Sequence, residues 1–255
     1  MSKVEKTVLI TGGAKRIGAE IAKLLVNSGY NVVIHFNKSK KEAINLCNEL
    51  NKKKKVAYYV QGDLLKEKEA KTIFLKANKK ISPITGLINN ASTFKYDNLK
   101  SVNEYSWHYH MTPNLKSPII LSKYFLRQLP NKTKGDIINI LDQRVLNLTP
   151  HFFSYTISKA ALWAATQTMA LELAPLVKVN AIGPGPTIKS KFQSEKEFIK
   201  QCKNMPLQVG SSPKEIGKAV LFLLSVKSIT GQLISLDGGQ HLGWGQVNNK
   251  IKIKD

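Results

Sequence analysis

The chain is short of acids, arginine and cysteine, and it has no long apolar run. Asp and Glu number 17 against 39 Lys and Arg, a formal net charge of +22 over 255 residues. Only Arg16, Arg127 and Arg144 of those cations are arginine. Nucleic-acid readers favour the planar guanidinium fork and interleave aromatic rings for stacking. The lysine clusters at 52–55 and 250–254 have neither, so the charge is not read as a nucleic-acid surface. It still attracts anionic ligands, a phosphorylated cofactor among them. The two cysteines, Cys47 and Cys202, lie far apart without metal-ligand spacing. They are expected to be reduced thiols, and no metal is expected. His108, His110 and His151 have no carboxylate or cysteine at ligand spacing and read as surface or interface histidines. The N-terminal apolar run is too short for a signal peptide. No stretch approaches the roughly 20 apolar residues of a membrane span. A soluble, cytoplasmic protein without a membrane partner is expected.

Present instead is a regular alternation of strand and helix. Strands are predicted at 7–10, 31–36, 56–60, 86–89, 136–141, 178–182 and 232–236. Helices are predicted at about 17–28, 40–51, 104–129, 152–173 and from Ser212–Pro213 to 225, with another charged helix before 86. Such alternation implies right-handed crossovers and a mostly parallel sheet with helices on both faces. The expectation is one α/β domain over 1–255, a doubly wound parallel sheet of about seven strands. Residues 188–205 read as a substrate lid and 244–255 as a basic tail. Ligands of such sheets bind at the carboxyl ends of the strands. The segments after residues 10, 36, 62, 88, 141 and 182 should therefore converge on one edge.

The first strand-to-helix turn runs from Thr11 through Gly12, Gly13, Ala14, Lys15, Arg16 and Ile17 to Gly18. Glycines there let backbone amides approach a pyrophosphate at a helix N-terminus. The second strand ends in His35, Phe36, Asn37, Lys38 and Ser39, with no acid to hold a ribose 2′-hydroxyl. A lysine and a hydroxyl welcome a 2′-phosphate, so the cofactor reads as NADPH. Tyr155 and Lys159 stand at i and i+4, on one helix face. A free tyrosine titrates near 10, and a nearby ammonium is expected to lower that value.

These motifs, with Asn89-Asn90-Ala91, resemble the short-chain dehydrogenases over about residues 5–243. Four departures resemble the pteridine reductase branch in particular: Arg16 at the usual middle glycine, Ser92 after Asn-Asn-Ala, Phe94, and Asp142 where a serine usually stands. The resemblance implies a Rossmann fold and NADPH-dependent reduction of a dihydropterin or dihydrofolate, usually by a homotetramer. By the same resemblance Tyr155, Lys159, Asp142 and Asn114 are catalytic, Asn114 ordering a water chain behind the lysine. Gly12, Lys15, Arg16, Ile17, Gly18, His35, Asn37, Lys38, Ser39, Asp63, Leu64, Asn90, Ala91, Ser92, Lys159, Pro184 and Gly185 take the cofactor. Arg16, Phe94, Asp142 and Tyr155 take the substrate, Phe94 by stacking on the pterin. Gln143-Arg144 and Pro186-Thr187 depart from the branch near the expected pocket. Phe152 fits either a pocket wall or the core. A ketone or 3-oxoacyl reductase, and a non-catalytic NADPH-binding sensor or scaffold, are the alternatives.

Overall fold

Residues 6–189 and 193–243 are described by a computed structural model. Seven parallel strands form one sheet, in the order β3-β2-β1-β4-β5-β6-β7. They are β1 (Thr7–Ile10), β2 (Asn31–Phe36), β3 (Ala57–Gln61), β4 (Ile84–Asn89), β5 (Gly135–Ile140), β6 (Val177–Pro184) and β7 (Leu233–Leu236). The helices are α1 (Arg16–Asn27), α2 (Lys40–Leu50), α3 (Glu67–Lys80), α4 (Glu104–Met111), α5 (Ser117–Gln128), α6 (Phe153–Leu173), α7 (Glu195–Lys203) and α8 (Pro213–Ser225). The single α/β domain and the seven-stranded count match the sequence reading. The tail at 244–255 and part of the lid lie outside the described residues; the rest of the lid contains α7.

The central strands are short runs of Val, Ile and Leu buried along their whole length, as helices on both faces demand. Alternate side chains enter opposite layers. Leu9, Val33, Leu87, Ile137 and Val179 face a layer containing Phe74, Leu121 and Phe125. Val8, Ile10, Val32, Ile34, Ile88 and Ile138 face the other, with Ile21, Leu25, Ile216 and Val220. Phe74 and Phe125 meet edge to face at 6.2 Å and seal the first layer. Each such fully buried side chain contributes about 1.5–3 kcal/mol through lost apolar exposure.

Chain order reverses between β1 and β4, and the strand ends there open the crevice in which this architecture takes ligands. One predicted element needs correction. The helix expected at 104–129 is two helices joined by a π-helical turn, Thr112–Lys116. Pro113, in that turn, has no N–H to give an α-helical ladder. Local widening of this kind is common where a helix presents a functional side chain, and here the turn carries Asn114.

Candidate active site

Two banks face each other across the crevice. On the first, Thr11 ties the ends of β1 and β4 together. Its hydroxyl accepts from the Asn90 and Ala91 amides at 2.9 and 3.0 Å. Asn90 Nδ2 donates to the Thr11 and Gly12 carbonyls at 2.8 and 3.2 Å. Gly12 has φ +60, a conformation glycine adopts without strain. At Gly18 a Cβ would lie 2.4 Å from the Gly12 carbonyl oxygen, so only glycine lets the turn close on the helix. Lys15 stands at the N-cap of α1 without a side-chain cap, and the first turn holds no acid. The leading N–H groups of α1 are thus left for an anion.

His35 belongs behind this bank rather than on it. It is buried, its Nδ1 accepting from the Gly12 amide at 3.2 Å and its Nε2–H donating to the Gly62 carbonyl at 3.1 Å. Burial lowers its pKa to about 4, so the ring is a neutral brace under the turn. Both ring nitrogens are thus engaged within the protein. Leu64 is likewise a core side chain. Asn37 Nδ2 donates to Asp63 Oδ1 at 3.1 Å, which joins the ends of β2 and β3. Lys38 is exposed, and the hydroxyl of the half-buried Ser39 does not cap α2. Lys15 forms an ion pair with Glu42. Arg16 has φ +53 and reaches the far side, Nη2 donating to the Ile188 carbonyl at 3.2 Å.

The second bank brings side chains from four segments together. Asp142 follows β5, and its Oδ1 accepts from the Arg144 amide at 2.9 Å. Its Oδ2 accepts both from Arg144 Nη1 at 2.9 Å and from the Tyr155 hydroxyl at 3.0 Å. Lys159, one turn after Tyr155 on α6, donates from Nζ to the Ile140 carbonyl at 2.8 Å. Tyr155 is 6% exposed and Lys159 2%. Burial, and then the Asp142 carboxylate, push the tyrosine well above its ordinary value. The expected lowering by Lys159 is corrected: the cation that favours the phenolate here is Arg144. Burial lowers Lys159 itself to about 8, with Asp142 opposing.

Asn114 is fully buried. Its Oδ1 accepts from the Thr93 amide at 2.9 Å and the Ser92 hydroxyl at 3.1 Å, while Nδ2 donates to Ser158 Oγ at 3.1 Å. It therefore splices the Ser92–Thr93 segment to α6. Phe94 stacks on Phe152 with centroids 4.3 Å apart and meets Tyr155 edge-on at 4.7 Å. The Arg144 guanidinium lies 5.7 and 5.3 Å from those two phenyl rings. Phe152 is thus a pocket wall, and it enters α6 from a left-handed conformation, φ +56. A cavity of about 1340 Å³ lies between the banks; Arg16, Ile17, Asn90, Ser92, Phe94, Asp142, Tyr155, Lys159, Pro184 and Gly185 all reach it.

Sequence reasoning missed the role of Arg144. Its signal was its place two residues after Asp142, where the pattern departs. It also misplaced His110, which is fully buried rather than on a surface or interface. Cys47 and Cys202 are unpaired, and burial pushes the Cys47 thiol up to about 11. Among the described residues no cluster of three or more His, Cys, Asp or Glu could hold a metal ion, and no helix is long and apolar enough to cross a membrane.

A parallel sheet with this glycine turn and a Tyr–Lys pair on α6 defines a class. The family model for short chain dehydrogenases matches residues 6–198, and the chain belongs to that family as an oxidoreductase. Among solved structures it is similar to FolM, alternative dihydrofolate reductase 1, from Brucella suis in complex with NADP. That pair is 44% identical with a TM-score of 0.91, covering 94% of this chain and 96% of the other. The same enzyme from Brucella canis, complexed with NADP, is 42% identical with a TM-score of 0.89 and the same coverages. The 3-oxoacyl-[acyl-carrier-protein] reductase FabG of Staphylococcus epidermidis is 28% identical, over 94% of this chain and all of that protein. An uncharacterized oxidoreductase of Thermotoga maritima is 29% identical, over 92% of this chain and 96% of that one.

Proposed function

We propose that the protein is an NADPH-dependent reductase of a C=N bond in a pterin or dihydrofolate, with Tyr155 as proton donor. The observation that carries this reading is Asp142, a carboxylate held by Arg144 beside the Tyr155 hydroxyl and the exposed Phe94 ring. A ketone asks of its site a hydrogen-bond donor, which an ionised carboxylate cannot be. A fused ring bearing N–H groups asks for an acceptor, and Asp142 offers one. The FolM neighbours, dihydrofolate reductases by name, support the same choice.

The first bank fits NADPH. The uncapped start of α1 and the close turn at Gly18 suit a pyrophosphate, held by Gly12, Lys15, Arg16, Ile17 and Gly18. Asn37, Lys38 and Ser39 offer a cation and polar groups, without an acid, to a 2′-phosphate. Asp63 and Leu64 border the adenine side. Asn90, Ala91, Ser92, Lys159, Pro184 and Gly185 border the nicotinamide side. Both FolM neighbours were solved with NADP. When bound, NADPH supplies the hydride.

The chain's own residues then handle the proton. The cavity is narrowed by Phe94 and Phe152, and a flat ring lying against Phe94 places its nitrogen near Tyr155. High proton affinity keeps Tyr155 protonated until a base arrives. Its O–H then turns from Asp142 Oδ2 to that nitrogen. The proton leaves for the nitrogen, and the phenolate left behind is stabilised by the Arg144 guanidinium. Lys159 uses one N–H on Ile140 and keeps two for a ribose.

The second reading is reduction of a ketone or 3-oxoacyl group, which the FabG resemblance favours. A sensor or scaffold has no need of the assembled Tyr155, Lys159 and Asn114. NADPH oxidation measured against dihydrobiopterin, dihydrofolate and a panel of ketones separates the readings. Turnover of ketones alone overturns the pterin assignment. A cytoplasmic homotetramer completes the proposal, and light scattering tests the oligomer.

A further inference from the structure

Behind the reacting groups lies a polar chain that proton transfer leaves unused. His110, Ser154 and Asp97 are 0%, 0% and 2% exposed. The Lys95 amide donates to His110 Nε2 at 3.1 Å, so that nitrogen bears no hydrogen and Nδ1 does. Nδ1–H donates to Ser154 Oγ at 2.6 Å. The serine hydroxyl donates to Asp97 Oδ2, and the Ser154 amide donates to Asp97 Oδ1 at 3.1 Å. Donation thus runs one way, from the Lys95 backbone to the Asp97 carboxylate. A serine, a histidine and an aspartate in contact suggest a nucleophile, but the order is wrong. Ser154 sits between the other two with no solvent access, where a nucleophile must stand at the end of the series.

What the chain does connect is the two halves of the substrate wall. Lys95 and Asp97 belong to the segment that carries Phe94, and Ser154 precedes Tyr155 at the start of α6. The Phe153 amide also donates to the Asp97 carbonyl at 3.2 Å. The His110 ring meets the Tyr155 ring edge-on, with centroids 5.9 Å apart.

We propose that His110 is a positioning residue for the reduction, holding the Phe94 wall through Nε2 and Tyr155 through Nδ1 and Ser154. It acts through other groups and touches neither substrate nor cofactor. The proposal rests on Tyr155 being the proton donor.

The two nitrogens have separate duties, so two amide variants divide them. His110→Gln can keep an acceptor for the Lys95 amide while losing the donor to Ser154. His110→Asn does the reverse. With the most rapidly reduced compound of the panel above, His110→Gln is expected to lower kcat on the order of tenfold and leave the substrate KM near that of the parent. His110→Asn is expected to raise that KM on the order of tenfold and spare kcat. NADPH affinity, read by fluorescence, should hold in both, because the cofactor bank is braced by His35. Equal changes of kcat and KM in the two variants, or no change in either, would overturn the proposal. If neither variant binds NADPH, Ser154→Ala decides: a lowered kcat at constant KM supports the role, and an unchanged kcat ends it. Tyr155→Phe serves as the separate control. Full activity in that variant removes the proton-donor reading whatever the histidine variants do.

Discussion

The two banks of the crevice are built by different means. The cofactor bank is mostly backbone: the glycine turn after β1, one uncapped helix start and two strand ends braced by Thr11, Asn90 and His35. The catalytic bank is almost wholly side chains, gathered from the end of β5, the start of α6, the π-helical turn and the Phe94 segment. The first depends on a few positions where no side chain fits. The second depends on partners for buried charge, chiefly the Asp142–Arg144 pair, whose side chains are 15% and 16% exposed.

The contrast makes predictions that differ by bank. The largest effect should come from Tyr155→Phe, which removes the proton donor. It is expected to lower kcat about 10²–10⁴-fold with NADPH binding intact, as steady-state oxidation will show. Arg144→Met should follow, leaving the Asp142 carboxylate without its cation, though still accepting from the Tyr155 hydroxyl and a backbone amide. A stability loss of about 2 kcal/mol is expected in urea titration, as for one lost hydrogen bond to a charged group. A fall in kcat should accompany it, since Tyr155 loses the cation that favours its phenolate. A variant of unchanged stability would show that Asp142 does not need its partner.

On the opposite bank the effects should be smaller and should appear in cofactor terms. Gly18→Ala places a methyl group against the Gly12 carbonyl. It is expected to cost about 1–3 kcal/mol of stability and to raise KM for NADPH more than it alters kcat. Lys38→Ala should reduce the preference for NADPH over NADH about tenfold, as one charge-assisted hydrogen bond implies. Retention of the full preference would move 2′-phosphate recognition away from β2.

A further effect concerns pH. The folded value of Lys159, about 8, lies below its unfolded value near 10.5. Between those values the unfolded chain binds more protons, so this group adds stability as pH rises through the window. The cost of burying its charge is full below about 8. Urea midpoints of the parent and Lys159→Met, compared from pH 7 to 10, should converge as pH rises; a constant gap would contradict the burial of a charged lysine.

Much of this was legible in the residues. Strand and helix periods located all seven strands, and the Gly12–Gly18 turn, Lys38, Phe94, Asp142, Tyr155 and Lys159 stood out as motif positions. The bracing role of His35 was not legible, because a polar residue beside a motif carries no sign of which face of its strand it occupies. The break at Thr112–Lys116 escaped because the apolar pattern continues through it. Arg144 was noticed only as a departure, and its contact with Asp142 depends on a short turn that periodicity does not describe.

The sequence by itself determined the layers, the strand ends that carry the site, and the glycine turn after the first strand. These follow from spacing between neighbours in the chain, since burial and φ preferences act locally. Only the tertiary structure decided which charges are partners. It paired Asp142 with Arg144 rather than leaving it open, raised Tyr155 rather than lowering it, and buried His110 between two walls of one pocket. The first depends on the geometry of a short turn, and the others on distances and desolvation between segments 13 to 44 residues apart; no periodicity encodes them.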